Sequence, residues 1–503
     1  MPLVQTRGAA SAQGFGEFSQ PAVAANYIED VFSTYLYTGT GANQTITNNI
    51  DISGKGGIVW IKQRNDTNEN AVYSTAYPTY RLITNRSDGQ GSPVTGDITA
   101  FNSNGFSLGT GGVPNPSGGL MCSWTFREQA KFFDVVTYTG DGNTSKTISH
   151  NLGSAPGMMI VKCTSTTGNW RVYHISQGAT KYGNLNETIA FQTVTSIWND
   201  TAPTSTQFTV GSNASVNASG QTFVAYLFAH NAGGFGTSGT DNVISCGSFT
   251  TDGSGNATVS LGYEPQYLMF KASSATGNWF VTDVMRGFSK TSNELLQPNT
   301  SGAEFSAVWG SPTATGFTFD QGNLAPSTTY IYMAIRRGPM KVPTDATTVF
   351  NVTSGNFSTP YTVTTGFPVD LSYSSRTGGS DRHMIDRLRG PITTTAYTYL
   401  PTNSTSAQIS GTSAGIGMQS NTAIIDNDFV TGANAVWWSF RRAPGFFDIV
   451  CYSGTGVVTN YNHNLGVVPE LWIIKRRNGT FGWFVGSTKY AVPTEYYQRL
   501  DVT

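Results

Sequence analysis

One phrase occurs twice in the chain, almost unchanged. Phe132-Phe133-Asp134-Val135-Val136-Thr137-Tyr138-Thr139-Gly140 leads through His150-Asn151-Leu152-Gly153 and Pro156 into the apolar run Met158 to Lys162. It returns as Phe446-Phe447-Asp448-Ile449-Val450-Cys451-Tyr452-Ser453-Gly454, His463-Asn464-Leu465-Gly466, Pro469 and Leu471 to Lys475. A coincidence over so many positions is excluded, so the chain is built from repeats, and its fold must be read copy by copy.

Looser copies fill the remainder. Residues 1–30 match no repeat and form a non-repeating N-terminal leader or attachment segment, with a helical turn expected near Ala22 to Phe32. Copies 1 to 4 occupy 31–130, 131–234, 241–340 and 345–444, and copy 5 (445–503) corresponds to about half a repeat. Equivalent aromatics Tyr37, Tyr138 and Phe249 recur at 101 and 111 residues, too long for a solenoid rung and suited to an independent β-sandwich. Short connections such as Ala130-Lys131 and Arg442-Ala443-Pro444-Gly445 predict a semi-rigid rod on the order of 150 Å when fully strung. Copy 5 lacks counterparts of Phe208-Thr209-Val210-Gly211 and of Thr222 to Phe228, so a neighbouring chain or further C-terminal sequence is expected to complete it, covering Ile449, Trp472 and Ile474.

Composition gives the fold class. Aromatics make up 12% of residues and charged residues 12%, with Lys, Glu and Leu scarce and β-branched residues common. This favours strands over helices, and the reading is all-β, a tandem array of β-sandwich, jelly-roll-like domains of about 100 residues. With a formal net charge of −1 there is no basic surface for nucleic acid and no polybasic segment for a membrane; no stretch approaches the length of a membrane span. Several strands, such as Phe223 to Phe228 and Ala435 to Phe440, are apolar on both faces, so something must cover the second face. A loop or short helix of the same domain is the simpler reading, and another domain or chain the alternative.

The candidate chemistry is thin. In copies 2, 3 and 5 a Trp (Trp170, Trp279, Trp483) follows the strand-ending Lys by eight residues; in copies 2 and 3 Gly-Asn precedes it. That pattern predicts a tight hairpin turn and a strand starting at a buried Trp anchor. Gly411-Thr412-Ser413-Ala414-Gly415 matches a nucleophile elbow literally but has no helical period after it. His150 and His463 hold equivalent turn positions, which favours a turn hydrogen bond over metal ligation. Asp283-Val284-Met285-Arg286-Gly287 and Asp386-Arg387-Leu388-Arg389-Gly390 share an Asp-x-x-Arg-Gly element that reads as an ion-paired turn; Asp381 and Asp386 form no calcium-loop pattern. Arg336-Arg337 and Arg441-Arg442, at the ends of closing strands, read as caps of a junction. Cys122, Cys163, Cys246 and Cys451 form no repeated disulfide or metal pair and read as reduced thiols. No catalytic, cofactor-binding or metal-binding residues are assigned, and no cofactor is expected.

The phrase Phe-Asp-Val-Val-Thr-Tyr-Thr-Gly, His-Asn-Leu-Gly-x-x-Pro, the apolar run ending in Lys, Gly-Asn-Trp, Asp-x-x-Arg-Gly, and the turn Phe101-Asn102-Ser103-Asn104-Gly105-Phe106-Ser107-Leu108-Gly109 resembles the repeated domain of virion proteins of tailed bacteriophages, above all of marine and cyanobacterial phages. The resemblance covers nearly everything after residue 30; copy 4 departs most, lacking the strand-ending Lys and the Gly-Asn-Trp turn. It implies a non-enzymatic, homo-oligomeric tail fibre or appendage assembled in the host cytoplasm. Its partners would be other virion proteins and host surface glycans. A capsid decoration protein and a glycan depolymerase are the alternatives.

Overall fold

The computed structural model describes residues 25–357, 360–376, 382–390, 392–393, 396–411, 415–427, 433–490 and 497–501. Among these the protein is nearly all β, in antiparallel sheets. Copies 1 to 4 repeat one strand order. In copy 2 the opening strand Phe133–Thr139 pairs with the closing strand Thr222–Phe228. The closing strand pairs in turn with Met158–Cys163, and that with Arg171–His174. Copy 1 gives Phe32–Thr38, Leu120–Arg127, Gly57–Gln63 and Ala71–Ser74 in the same order; copy 3 gives Ile244–Thr250, Thr329–Arg336, Pro265–Ala272 and Trp279–Asp283. Copy 4 gives Phe350–Phe357, Ala433–Phe440, Leu371–Arg376 and Arg382–Asp386. The closing strand is central in each copy, and in copies 1 to 3 it is buried on both faces, as its uniformly apolar sequence requires.

Each large sheet is accompanied by a small one, such as Gln44–Thr47, Gly105–Leu108 and Ile98–Asn102 in copy 1. One face of each large sheet packs on its small sheet: Ile46, Phe106 and Leu108 meet Val59, Ile61 and Tyr73 in copy 1, and Val259, Phe317 and Phe319 meet Leu268 and Phe270 in copy 3. In copies 1 to 3 the other face is covered by neighbouring copies. Trp60 and Trp124 of copy 1, Ile160 and Tyr226 of copy 2, and Met269 and Met333 of copy 3 belong to one continuous apolar cluster. A strung rod is therefore not what forms, and the covering element is neither a local loop nor a short helix. The short linkers fold back because each large sheet has a second apolar face, and burying it is worth roughly 25 cal/mol per Å².

Three expectations change in detail. The turn near the N-terminus is a 3₁₀ turn, Ile28–Asp30; residues 1–24 of the leader lie outside the described residues. The Gly-Asn pairs do not make a positive-φ hairpin turn: Gly168, Asn169, Gly277 and Asn278 all lack positive φ, and the hairpin in copy 2 joins Val161 to Arg171 across a longer loop. In copy 5 the strands are Leu471–Ile474, Phe484–Ser487 and Gln498–Arg499, and the segment opening at Phe447 forms no strand. An opening strand pairs with a closing strand in every other copy, and copy 5 has no such strand among its described residues.

Candidate functional site

The repeated residues make the same set of contacts at successive copy boundaries. At the boundary of copies 2 and 1, Lys162 Nζ donates to Ser87 O (3.1 Å), Gly168 N donates to the same carbonyl (2.8 Å), and Trp170 Nε1 donates to Ile83 O and Arg86 O (3.1 and 3.0 Å). In return Gln90 N donates to Thr164 O at 2.7 Å. Copy 3 grips copy 2 likewise: Lys271 Nζ reaches Thr188 O at 3.0 Å, Gly277 N the same oxygen at 2.8 Å, Trp279 Nε1 Asn184 O at 2.8 Å, and Phe191 N donates back to Ser273 O at 2.9 Å.

Copy 1 then grips copy 3. Lys62 Nζ and Asn68 N both donate to Ser301 O at 3.1 Å, and Glu304 N donates back to Arg64 O at 2.7 Å. Asn70 takes the place of the Trp, its Nδ2 donating to Gln297 O and Thr300 O at 3.3 and 2.6 Å. The three copies thus close into a ring with pseudo-threefold clasps. The ammonium groups have carbonyl partners but sit in an apolar wall, and burial pulls Lys62, Lys162 and Lys271 down to about 8. Gly168 and Gly277 bring their N–H to the neighbouring carbonyl, as Asn68 does in copy 1, and Asn169 Nδ2 donates to Glu187 Oε1 at 2.7 Å. Trp170 and Trp279 are both buried, as anchors should be.

The doubled phrase is a second device. Asp134 Oδ2 accepts from Asn151 N at 2.6 Å and His150 Nδ1 from Leu152 N at 3.2 Å; in copy 5, Asp448 Oδ2 accepts from Asn464 N at 2.6 Å and His463 Nδ1 from Leu465 N at 3.2 Å. Both histidines are turn acceptors, as their equivalence suggests. The Asp-x-x-Arg-Gly elements are ion-paired turns: Asp283 accepts from Arg286 N (2.9 Å) and Nε (2.7 Å), and Asp386 binds the same two donors of Arg389. Arg337 and Arg442 do cap a junction. Arg337 Nη2 meets Asp370 Oδ2 of copy 4 at 2.7 Å; Arg442 binds both oxygens of Glu264 in copy 3 at 2.7 Å and Asp448 of copy 5 at 2.5 Å. The cysteines are free thiols; Ser413 and Asp381 lie outside the described residues.

Where copies 1, 3 and 4 meet there is a cavity of about 290 Å³ lined by Arg64, Ser292, Glu294, Glu304, Ser306 and Gln419 among others. Nothing in the sequence marked it, because its residues come from three copies and share no spacing. Burial alone would raise Glu304, but Arg64 and Arg286, on its Oε1 and Oε2 at 2.5 and 2.9 Å, hold it below the usual range. Burial, and then the charge of Glu304, raise Glu294, whose oxygens accept from Ser306 Oγ at 2.9 and 2.8 Å. Two carboxyls with opposed shifts invite an acid–base reading. However, both oxygens of Glu304 are engaged by guanidinium groups, so neither is free to attack or to take a proton. Among the described residues no group of three His, Cys, Asp or Glu is placed to hold a metal.

These contacts define a class of architecture, an all-β assembly of repeats that closes on itself within one chain. Residues 28–339 match the family described as a domain of unknown function, DUF7483, well over half of the chain, and the protein belongs to that family. The matched region is the closed ring, and its two ends meet, Ile28 N donating to Pro339 O at 3.0 Å. No curated protein matches the chain.

Proposed function

We propose that the protein is a structural component of a bacteriophage virion, a tail-associated fibre or appendage that contributes to assembly and to adhesion at the host surface. The observation that carries this reading is the use of the repeated polar residues. Lys162, Trp170, Asp134, His150 and Asp283 hold turns together or hold one copy to the next, which suits a scaffold. A capsid decoration role uses the same scaffold and differs in location.

Fab fragments raised against the purified protein, imaged on intact particles, test the reading. Label on the tail or an appendage supports it, label over the capsid transfers the protein to the decoration role, and particles without label overturn both. The depolymerase alternative, for which the cavity offers Glu294 but not the guanidinium-bound Glu304, has its own assay. Glycan clearing by the purified protein that disappears in Glu294→Gln would replace the structural reading.

A further inference from the structure

Copies 4 and 5 repeat the ring clasp a fourth time. Lys475 Nζ donates to Thr405 O at 3.0 Å, Phe481 N to the same oxygen at 2.9 Å, and Trp483 Nε1 to Pro401 O at 3.0 Å, while Gln408 N donates back to Arg477 O at 2.8 Å. Copy 4, however, has no lysine at the clasp position. Lys271 and Trp279 face each other across their hairpin, and the matching pair in copy 4 is Ser375 and Arg382. Copy 1 closes the first ring by donating from Lys62 and Asn70; copy 4 has no ammonium or indole with which to close a second ring in that way.

The face that such a ring would bury is nevertheless apolar. Val352, Trp438 and Tyr373 lie side by side in the register that Thr34, Trp124 and Trp60 occupy in copy 1. Trp60 and Trp124 are 3% and 1% exposed, whereas Val352 is 51% exposed and Trp438, Tyr373 and Phe440 are only half-buried. On copy 5, which the clasp holds against copy 4, Ile473 and Leu471 are likewise exposed, at 44% and 59%; Ile473 stands where Met269 stands in the ring.

We propose that this face, formed by Val352, Tyr373, Trp438, Phe440, Leu471 and Ile473, is a self-association surface covered by the same face of a second copy of the chain. The surface continues an established interface, since its register is that of the faces the copies bury against one another in the ring. None of the six side chains is charged, and Arg382, opposite Ser375, is a charged group on the same face of copy 4 and stands one pair beyond Tyr373; a face paired with itself closes as a dimer instead of a filament.

Sedimentation of the full chain over a concentration series tests this. A monomer–dimer equilibrium is expected, together with Val352→Lys and Ile473→Lys variants that associate roughly thirtyfold more weakly, the loss typical of an interface hot spot, at unchanged thermal stability. Both side chains are exposed in the single chain, so these variants fold. A wild-type chain that stays monomeric at every concentration, or variants that dimerise as well as wild type, overturn the proposal.

Discussion

The closed ring of copies 1 to 3 and the open pair of copies 4 and 5 use one clasp and reach different degrees of burial. In copy 2 the strand Met158–Cys163 is buried at every position; in copy 5 the strand Leu471–Ile474 is buried at none. The clasp itself is equally complete in both, so its hydrogen bonds do not make the core. Closure does: a sheet gains its second apolar layer only when neighbours stand on both sides, and the net worth of each clasp hydrogen bond is about 0.5–1.5 kcal/mol. The clasp sets which copy meets which, and packing supplies the stability.

The sharpest way to break the comparison is to remove the same anchor from each region. Trp279→Ala should destabilise the ring by about 3–5 kcal/mol, the range for a buried aromatic. Trp483→Ala should leave the main calorimetric transition in place and affect only copy 5. Equal effects on one transition would mean that the open pair folds as part of the ring.

Arg442→Met removes the cation shared by Glu264 and Asp448. It leaves Glu264 buried without its partner, at a cost of about 3–5 kcal/mol. A separate, lower-temperature transition for copies 4 and 5 is the expected sign in calorimetry. A single unsplit transition would show that contacts such as Arg387 Nη1 to Val284 O and Gln419 to Arg286 O hold the two regions together without it.

Lys162→Met should cost less, about 1–3 kcal/mol for the carbonyl of Ser87 left with fewer donors, with Lys475→Met below that because its surroundings are wetter. Chemical denaturation of the two variants gives the ranking, and a larger loss at Lys475 would contradict it.

The smallest effects are in pH. His174, buried with its Nε2 at 3.0 Å from Tyr332 O across the boundary of copies 2 and 3, is pulled down by burial to about 4. The unfolded chain therefore takes up the proton first, and stability falls as pH drops from about 6.5 through about 4. A control lacking this imidazole, His174→Gln, should show a shallower acid slope. For Lys62, Lys162 and Lys271 the lowered values act in the alkaline range. The folded state gives up its protons first, so these groups add stability as pH rises from about 8 towards 10.5; Lys162→Met should flatten that rise.

Much of this was legible in the residues. Strand content, the buried Trp anchors, the turn role of His150 and the Asp283 to Arg286 ion pair all follow from local pattern, because each depends on neighbours a few positions away. The ring did not follow. A strand apolar on both faces, such as Phe223 to Phe228, states that a cover exists without saying which element supplies it. The overlooked signal was the Lys ending each otherwise apolar strand: an ammonium in such a place needs several carbonyls close by, and a sheet edge seldom provides them unless another backbone is pressed against it. Asn70 at the position of Trp170 hid the third clasp, and the Glu294 cavity, assembled from three copies, leaves no periodic trace.

The third clasp also shapes how the molecule comes into being. Lys162 and Lys271 reach partners 75 and 83 residues back along the chain, whereas Lys62 and Ser301 are 239 residues apart. Loop-closure entropy grows with such separation and slows formation of the contact. During synthesis at about 5–20 residues per second, copies 1 and 2 emerge and join while one flank of each still waits for copy 3. For a period on the order of ten seconds the nascent protein is an open arc with its aromatic side bare. That interval is the moment at which two growing chains on neighbouring ribosomes could trade third copies, and co-translational pull-down of differently tagged chains would reveal mixed products if they do.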